Sequence, residues 1–241
     1  MHQFSEVFDQ VFAANGLCEY ATEQNKQTYA QLCEHILEVN QIHNLTAIRD
    51  VPGVITKHFA DSLTIAAHIP QNATLLDVGT GGGFPTLPLA VARPDLSITA
   101  IDSTAKKIAH VQSTAQKFSL HNVKALTGRA EELAKTDMLE SFDAVTARAV
   151  SELRILCEIT LPFVAIGGTF VAMKGASGQK ELEDAQVAIK RLGGQLIDTH
   201  KFTLKDEKGT QEERFIFIIR KVSPTPNNFP RQYAQILKKP L

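Results

Sequence analysis

The chain has 241 residues, of which 44% are hydrophobic and 21% charged, with a formal net charge of −1. Such a composition belongs to a soluble globular protein with chain enough for one α/β domain and a small appendage. Nothing in the chain suggests a repeat array, and no apolar run is long enough to span a bilayer.

Residues 1–70 read as an N-terminal helical region. Phe4, Val7, Phe8, Val11 and Phe12 recur at helical spacing, with Gly16 just beyond as a stop, and Tyr29, Leu32, Cys33, Ile36 and Leu37 repeat the pattern. A third helix is expected from Asp50 as N-cap with Pro52 in its first turn, presenting Val54, Ile55, His58, Phe59 and Leu63. From residue 74 short apolar strands alternate with helices, which places an α/β domain at 71–221. Strands are expected at 74–78, 97–101, 123–127, 142–147 and 167–173, then at 195–202 and 214–220. Helices are expected near 85–92, 104–118, 131–135, 151–164 and 178–192. Strands interleaved with helices imply a seven-stranded, mainly parallel sheet covered on both faces, its last strand antiparallel. Lys205 to Thr210 has hairpin character.

Residues 222–241 read as a basic, Pro-rich C-terminal tail. From position 220 onward the chain carries Arg220, Lys221, Arg231, Lys238 and Lys239 and no acid, so the preceding residues sum to −6. An extended cationic tail suits an anionic polymer, and the same composition also suits a solvated terminus. Met1 to Glu6 has no basic region followed by an apolar stretch, so no secretory signal is expected and a cytoplasmic location follows. Cys18, Cys33 and Cys157 are odd in number and widely separated, the pattern of buried thiols in a reducing compartment. No His-x3-His or Cys-x2-Cys pair occurs, and no metal is expected.

The most specific motif is the turn Asp77-Val78-Gly79-Thr80-Gly81-Gly82-Gly83-Phe84, between the first expected strand and a helix. Glycines let backbone pass close to a ligand, and the helix behind them offers unpaired N–H groups. Asp102, nineteen residues past Gly83 and ending the second strand, is placed to meet ribose hydroxyls. Gly128-Arg129-Ala130-Glu131, Ala147-Arg148-Ala149 and Met173-Lys174-Gly175 come after the next three strands. All five segments fall at strand carboxyl ends, where open α/β sheets bind ligands. Neither register of the turn completes the dinucleotide fingerprint, and a phosphate-loop lysine is absent.

The Asp-x-Gly-x-Gly-x-Gly spacing resembles the first motif of class I, Rossmann-like methyltransferases that use S-adenosylmethionine. The order Asn44-Leu45-Thr46-Ala47-Ile48, His58-Phe59-Ala60-Asp61-Ser62-Leu63, the glycine turn through Pro85, Arg129-Ala130-Glu131, Ala147-Arg148-Ala149 and Lys174-Gly175 narrows the likeness. It resembles the bacterial 16S rRNA guanine-N7 methyltransferase family RsmG, also called the glucose-inhibited division protein B family, over nearly the whole chain. The resemblance makes 71–221 a methyltransferase domain with an N-terminal helical extension, S-adenosylmethionine the cofactor, and 16S ribosomal RNA, the small ribosomal subunit or an assembly intermediate the partner.

The resemblance carries expected cofactor-binding roles onto Gly79, Phe84, Ala130, Glu131 and Arg148, and the chemistry of the glycine turn and the strand end adds Gly81, Gly83 and Asp102. Asp77 either supports the loop or meets the cofactor's ammonium. Guanine N7 is an unprotonated nucleophile, so no catalytic base is expected, and Arg148 either positions the base or holds the cofactor carboxylate. Lys174 and Arg129 are weaker candidates for phosphate or base contact. Substrate recognition is assigned to the helical region, to residues 44–49, to Lys57-His58 and to the tail. A non-catalytic nucleotide-sensing or RNA-binding protein on the same fold and a small-molecule methyltransferase are the competing readings.

Overall fold

The structure, a computed structural model, describes residues 2–43 and 45–241. Its framework is a seven-stranded sheet of β1 (Thr74–Val78), β2 (Ser97–Asp102), β3 (Val123–Thr127), β4 (Phe142–Arg148), β5 (Val164–Lys174), β6 (Gly194–Lys205) and β7 (Gln211–Lys221). The strand order is β3-β2-β1-β4-β5-β7-β6. Pairs among β1 to β5 are parallel, whereas β7 runs antiparallel to both β5 and β6. The antiparallel last strand was expected; its insertion between β5 and β6 was not. The cause lies in its composition. Phe215 to Ile219 is a continuous apolar run buried on both faces, as an interior strand requires, while β6 mixes exposed and buried residues and takes the edge.

The helices are α1 (His2–Ala14), α2 (Glu23–His43), α3 (Val51–Gly53), α4 (Asp61–Leu63), α5 (Thr86–Ala92), α6 (Ala105–Lys117), α7 (Ala130–Leu133), α8 (Leu153–Thr160), α9 (Gly178–Arg191) and α10 (Tyr233–Lys238). The apolar stripe of α1 buries Phe8, Val11 and Phe12, and Tyr29 of α2 donates its hydroxyl hydrogen to the Pro88 carbonyl at 2.9 Å. These side chains share one core with Leu75, Leu87, Ile98 and Ala100, so the N-terminal helices form part of the layer on one sheet face. On the other face α8 and α9 bury Leu153, Leu156, Ala185 and Ile189 against Leu76, Val145, Phe170 and Phe217.

The Asp50 carboxylate accepts from the Gly53 amide at 2.7 Å, the expected N-cap, but the helix behind it is not plain α. Val54–Ala60 winds as π-helix between α3 and α4. This wider turn carries Lys57 and His58, and such insertions recur at functional positions.

Two expectations are corrected. Cys18 lies exposed in a 3-10 turn after α1, unlike Cys33 and Cys157, whose burial pushes both thiols up to about 12. The C-terminal segment, in turn, is neither extended nor freely cationic. Lys221 is fully buried, its ammonium donating to the Leu161 carbonyl at 3.0 Å and pairing with Glu140 at 3.3 Å. Arg231 grips the fully buried Glu158, donating from its amide and Nε to Oε1 at 3.0 and 2.8 Å and from Nη2 to Oε2 at 2.5 Å. A carboxylate that deep requires a counter-charge, and the tail supplies it. Among the described residues no helix is long and apolar enough to cross a membrane, and no group of three or more metal-ligating side chains occurs.

Candidate active site

The turn after β1 is held by backbone. The amides of Gly79 and Thr80 both donate to the Ile101 carbonyl at 2.8 and 3.0 Å, and those of Gly83 and Phe84 return to the Thr80 carbonyl. Gly81 and Gly83 have φ of +58° and +94°. A Cβ at Gly83 would strike Leu87 at 2.5 Å, whereas one at Gly81 would meet nothing closer than 3.9 Å. Gly83 is therefore required by packing as well as by conformation, and Gly81 faces open space. Beneath the turn Asp77 is fully buried and accepts from the Thr86 hydroxyl at 2.7 Å. Burial pushes its pKa up to about 6 against that bond. Asp77 thus supports the loop from below, with Oδ1 lacking a hydrogen-bond partner among the described residues.

Two cavities open at the carboxyl rim of the parallel strands. The first, about 320 Å³, is lined by Gly79, Asp102, Ala130, Glu131, Val150 and Tyr233 among others. Asp102 accepts from the Gly81 amide at 3.1 Å through Oδ2 and from the Thr104 amide at 2.8 Å through Oδ1. Both oxygens retain lone pairs for a ligand. Glu131 is paired with Arg129 at 2.7 Å. Of the residues expected at the cofactor, Gly79, Asp102, Ala130 and Glu131 come together here. Gly81 orients Asp102, Gly83 packs on Leu87, and Phe84 and Arg148 face elsewhere.

The second cavity, about 660 Å³, lies between the ends of β4 and β5, the π-helical turn and β7. Arg148 donates from Nη1 to the Lys57 carbonyl at 2.6 Å and to Asp61 Oδ2 at 3.0 Å. The other oxygen of Asp61 accepts from Arg214 Nε at 3.0 Å, so one nearly buried carboxylate fixes two guanidinium groups. His58 stacks on Phe84 with ring centroids 4.0 Å apart and an interplanar angle of 7°. Burial first, and then the Arg148 charge, hold its pKa down to about 3. The ring is accordingly neutral. Nδ1, 3.3 Å from Arg148 Nη2, must accept, because a guanidinium only donates; Nε2 then donates to the Thr46 hydroxyl at 2.8 Å. Lys174 is not solvent-facing: its ammonium pairs with Glu181 at 2.6 Å and donates to the Ser151 carbonyl. Lys57 pairs with Glu212 at 2.7 Å. Thr46 to Ile48 line this cavity, while Asn44 of the same motif lies outside the described residues.

Ala149 and Val150 line both cavities, forming a shared wall, and Ala149 holds a φ of +54°, an uncommon conformation for a residue with a Cβ. Sequence reasoning missed Arg214 and Tyr233 here. A signal for Arg214 existed. An antiparallel β7 brings its N-terminal end to the rim where the parallel strands end, and Arg214 immediately precedes its buried run.

A parallel β1–β5 core with a glycine turn after β1 and an acid ending β2 defines the class I methyltransferase fold. A Bacillus cereus O-methyltransferase solved in complex with S-adenosylhomocysteine is similar to this chain in fold, with a TM-score of 0.55 at 17% identity over 78% of this chain and 90% of that one. Within that class the sequence is decisive. The model of the GidB family, rRNA small subunit methyltransferase G, matches residues 25–210, and the chain belongs to that family. Ribosomal RNA small subunit methyltransferase G of Brevibacillus brevis is 41% identical over 239 residues, 98% of each chain. The protein of the same name from Leuconostoc citreum is 41% identical over 225 residues, 91% of this chain and 92% of its own.

Proposed function

We propose that this protein is an S-adenosylmethionine-dependent methyltransferase that modifies guanine N7 in 16S ribosomal RNA, acting in the cytoplasm on RNA or on small ribosomal particles. The observation that carries the reading is the pair of cavities meeting at Ala149-Val150, one suited to a nucleoside-type cofactor and the other large enough for a base. The cofactor fits what the first cavity offers. Gly79 brings bare backbone to its wall, and Asp102, oriented by the Gly81 amide, keeps acceptor capacity for ribose hydroxyls. Bound there, the cofactor supplies a methyl group on a sulfonium.

The chain's own residues have one task in such a reaction, which is placement. N7 carries a free lone pair on the Hoogsteen edge, so no side chain need remove a proton. The neutrality of His58 agrees, since it is held as a hydrogen-bonding strut. Arg148, fixed by the Lys57 carbonyl, Asp61 and His58, presents its remaining N–H groups toward the second cavity, where guanine O6 is an acceptor. Duplex RNA hides N7 in a deep groove, so the target guanine enters unpaired or splayed out. Alignment and exclusion of water then supply the rate.

The test is to incubate the protein with methyl-labelled S-adenosylmethionine and 16S RNA or small subunits lacking the modification, then map 7-methylguanosine by chain cleavage. Label at a single guanine is expected. No label in RNA or particle at any salt concentration would overturn the reading.

A further inference from the structure

The C-terminal segment does more than neutralise Glu158. Tyr233, the first residue of α10, is the single aromatic side chain among the described residues lining the cofactor cavity. Its ring lies 5.5 Å from the Arg129 guanidinium, which is itself paired with Glu131. It therefore stands at the end of the cavity formed by Gly128 to Glu131. The segment before it is fixed independently at several points. Phe229 is buried against Arg191 and Arg231, Arg231 makes three hydrogen bonds to Glu158, and Ile236 is fully buried in the core of that sheet face. Ile159, next to Glu158, lines the same cavity. The Arg231–Glu158 pair thus ties the tail to the helix that contributes Ile159 to the cavity lining.

We propose that residues 229–238 form a wall of the cofactor pocket, in which Tyr233 packs against the adenine ring and the Arg231–Glu158 pair latches it there. This rests on the reading that the cavity takes S-adenosylmethionine. The chemistry is that of any purine site: a flat heteroaromatic ring needs an aromatic or apolar face, and Ile101, Ile159 and Tyr233 supply one beside the polar edge of Ala130-Glu131. The folded part of the tail is thereby assigned to the cofactor.

The experiment measures binding by full-length protein of S-adenosylhomocysteine and, separately, of adenosine, by calorimetry. Tyr233→Ala is expected to weaken both ligands alike, by about 5- to 100-fold, the range of one base–aromatic stack. Tyr233→Phe, which keeps the ring, should bind close to wild type, and Arg231→Ala should weaken both ligands by releasing the latch. A second readout needs no loss of packing. The chain has no tryptophan, and Tyr20 and Tyr29 are buried in the N-terminal core, so ligand-induced quenching of tyrosine emission should be present in wild type and lost in Tyr233→Phe. Unchanged quenching in Tyr233→Phe, wild-type affinity in Tyr233→Ala, or a loss for S-adenosylhomocysteine without one for adenosine would overturn the proposal. Failure of the wild type to bind S-adenosylhomocysteine would instead overturn the functional reading beneath it.

Discussion

His58 shows how a titratable residue can be removed from acid–base chemistry by its surroundings. Its ring is sealed under Phe84 and wired between Thr46 and Arg148, with a pKa held to about 3 against an ordinary 6.5. Between those values the unfolded chain binds the proton and the folded one does not, so the contribution of His58 to stability is complete above about pH 6.5 and declines as pH falls toward 3. Asp77 acts in the opposite sense. Its pKa is raised to about 6, so its contribution is complete below the ordinary carboxylate value and is lost as pH rises through 6. The two oppose each other across the mildly acid range, and a comparison of variants separates them. Urea unfolding of wild type and His58→Gln at pH 7 and 4.5 should show the wild type losing more stability on acidification than the variant. Equal losses would mean that the imidazole is not buried in its neutral form.

At the scale of elements, what could be read from the sequence was whatever local pattern determines. All seven strands and the glycine turn come from short apolar runs and turn residues, and the α1 stop at Gly16 and the Asp50 cap come from single residues with one conformational purpose. The π-helical winding of Val54–Ala60 was not legible, since nothing in Val-Ile-Thr-Lys-His-Phe-Ala distinguishes it from α-helix; tertiary contacts, including the Arg148 bond to the Lys57 carbonyl, go with that turn. Nor was the role of each glycine, because Gly81 and Gly83 share a positive φ and differ only in what surrounds them. That difference is measurable. Gly83→Ala must force Leu87 aside and is expected to cost about 2–4 kcal/mol, strain and overpacking together. Gly81→Ala carries only the conformational cost, about 1 kcal/mol, yet strains the amide that orients Asp102 at the first cavity. Thermal unfolding should thus rank Gly83→Ala as the less stable variant, and S-adenosylhomocysteine binding should be weakened by Gly81→Ala beyond what its stability loss explains. The reverse ranking in melting temperature would mean that the turn is packed differently.

For the whole molecule, the question is where its cationic surface meets RNA. Composition placed five positive charges in the last residues, and if each met a phosphate of single-stranded RNA they would contribute roughly −3.5 to the slope of log K against log salt, at about −0.7 each. The folded chain rules that out in part. Lys221 is buried on Glu140 and Arg231 is spent on Glu158, both carboxylates lying far upstream in sequence, which is why no reading of the tail alone found them. Arg220, Lys238 and Lys239 remain exposed and can still reach a phosphate. Replacing Lys238 and Lys239 together by alanine should therefore flatten the salt slope of RNA binding by no more than about 1.4. The rest of the slope would then come from cations outside the tail, and not from the N-terminal helices α1 and α2, whose single lysine, Lys26, is paired with Asp9 at 2.5 Å. If the double variant removed most of the salt dependence, the tail would be the principal RNA contact, and the assignment of its folded part to the cofactor pocket would have to account for both duties at once.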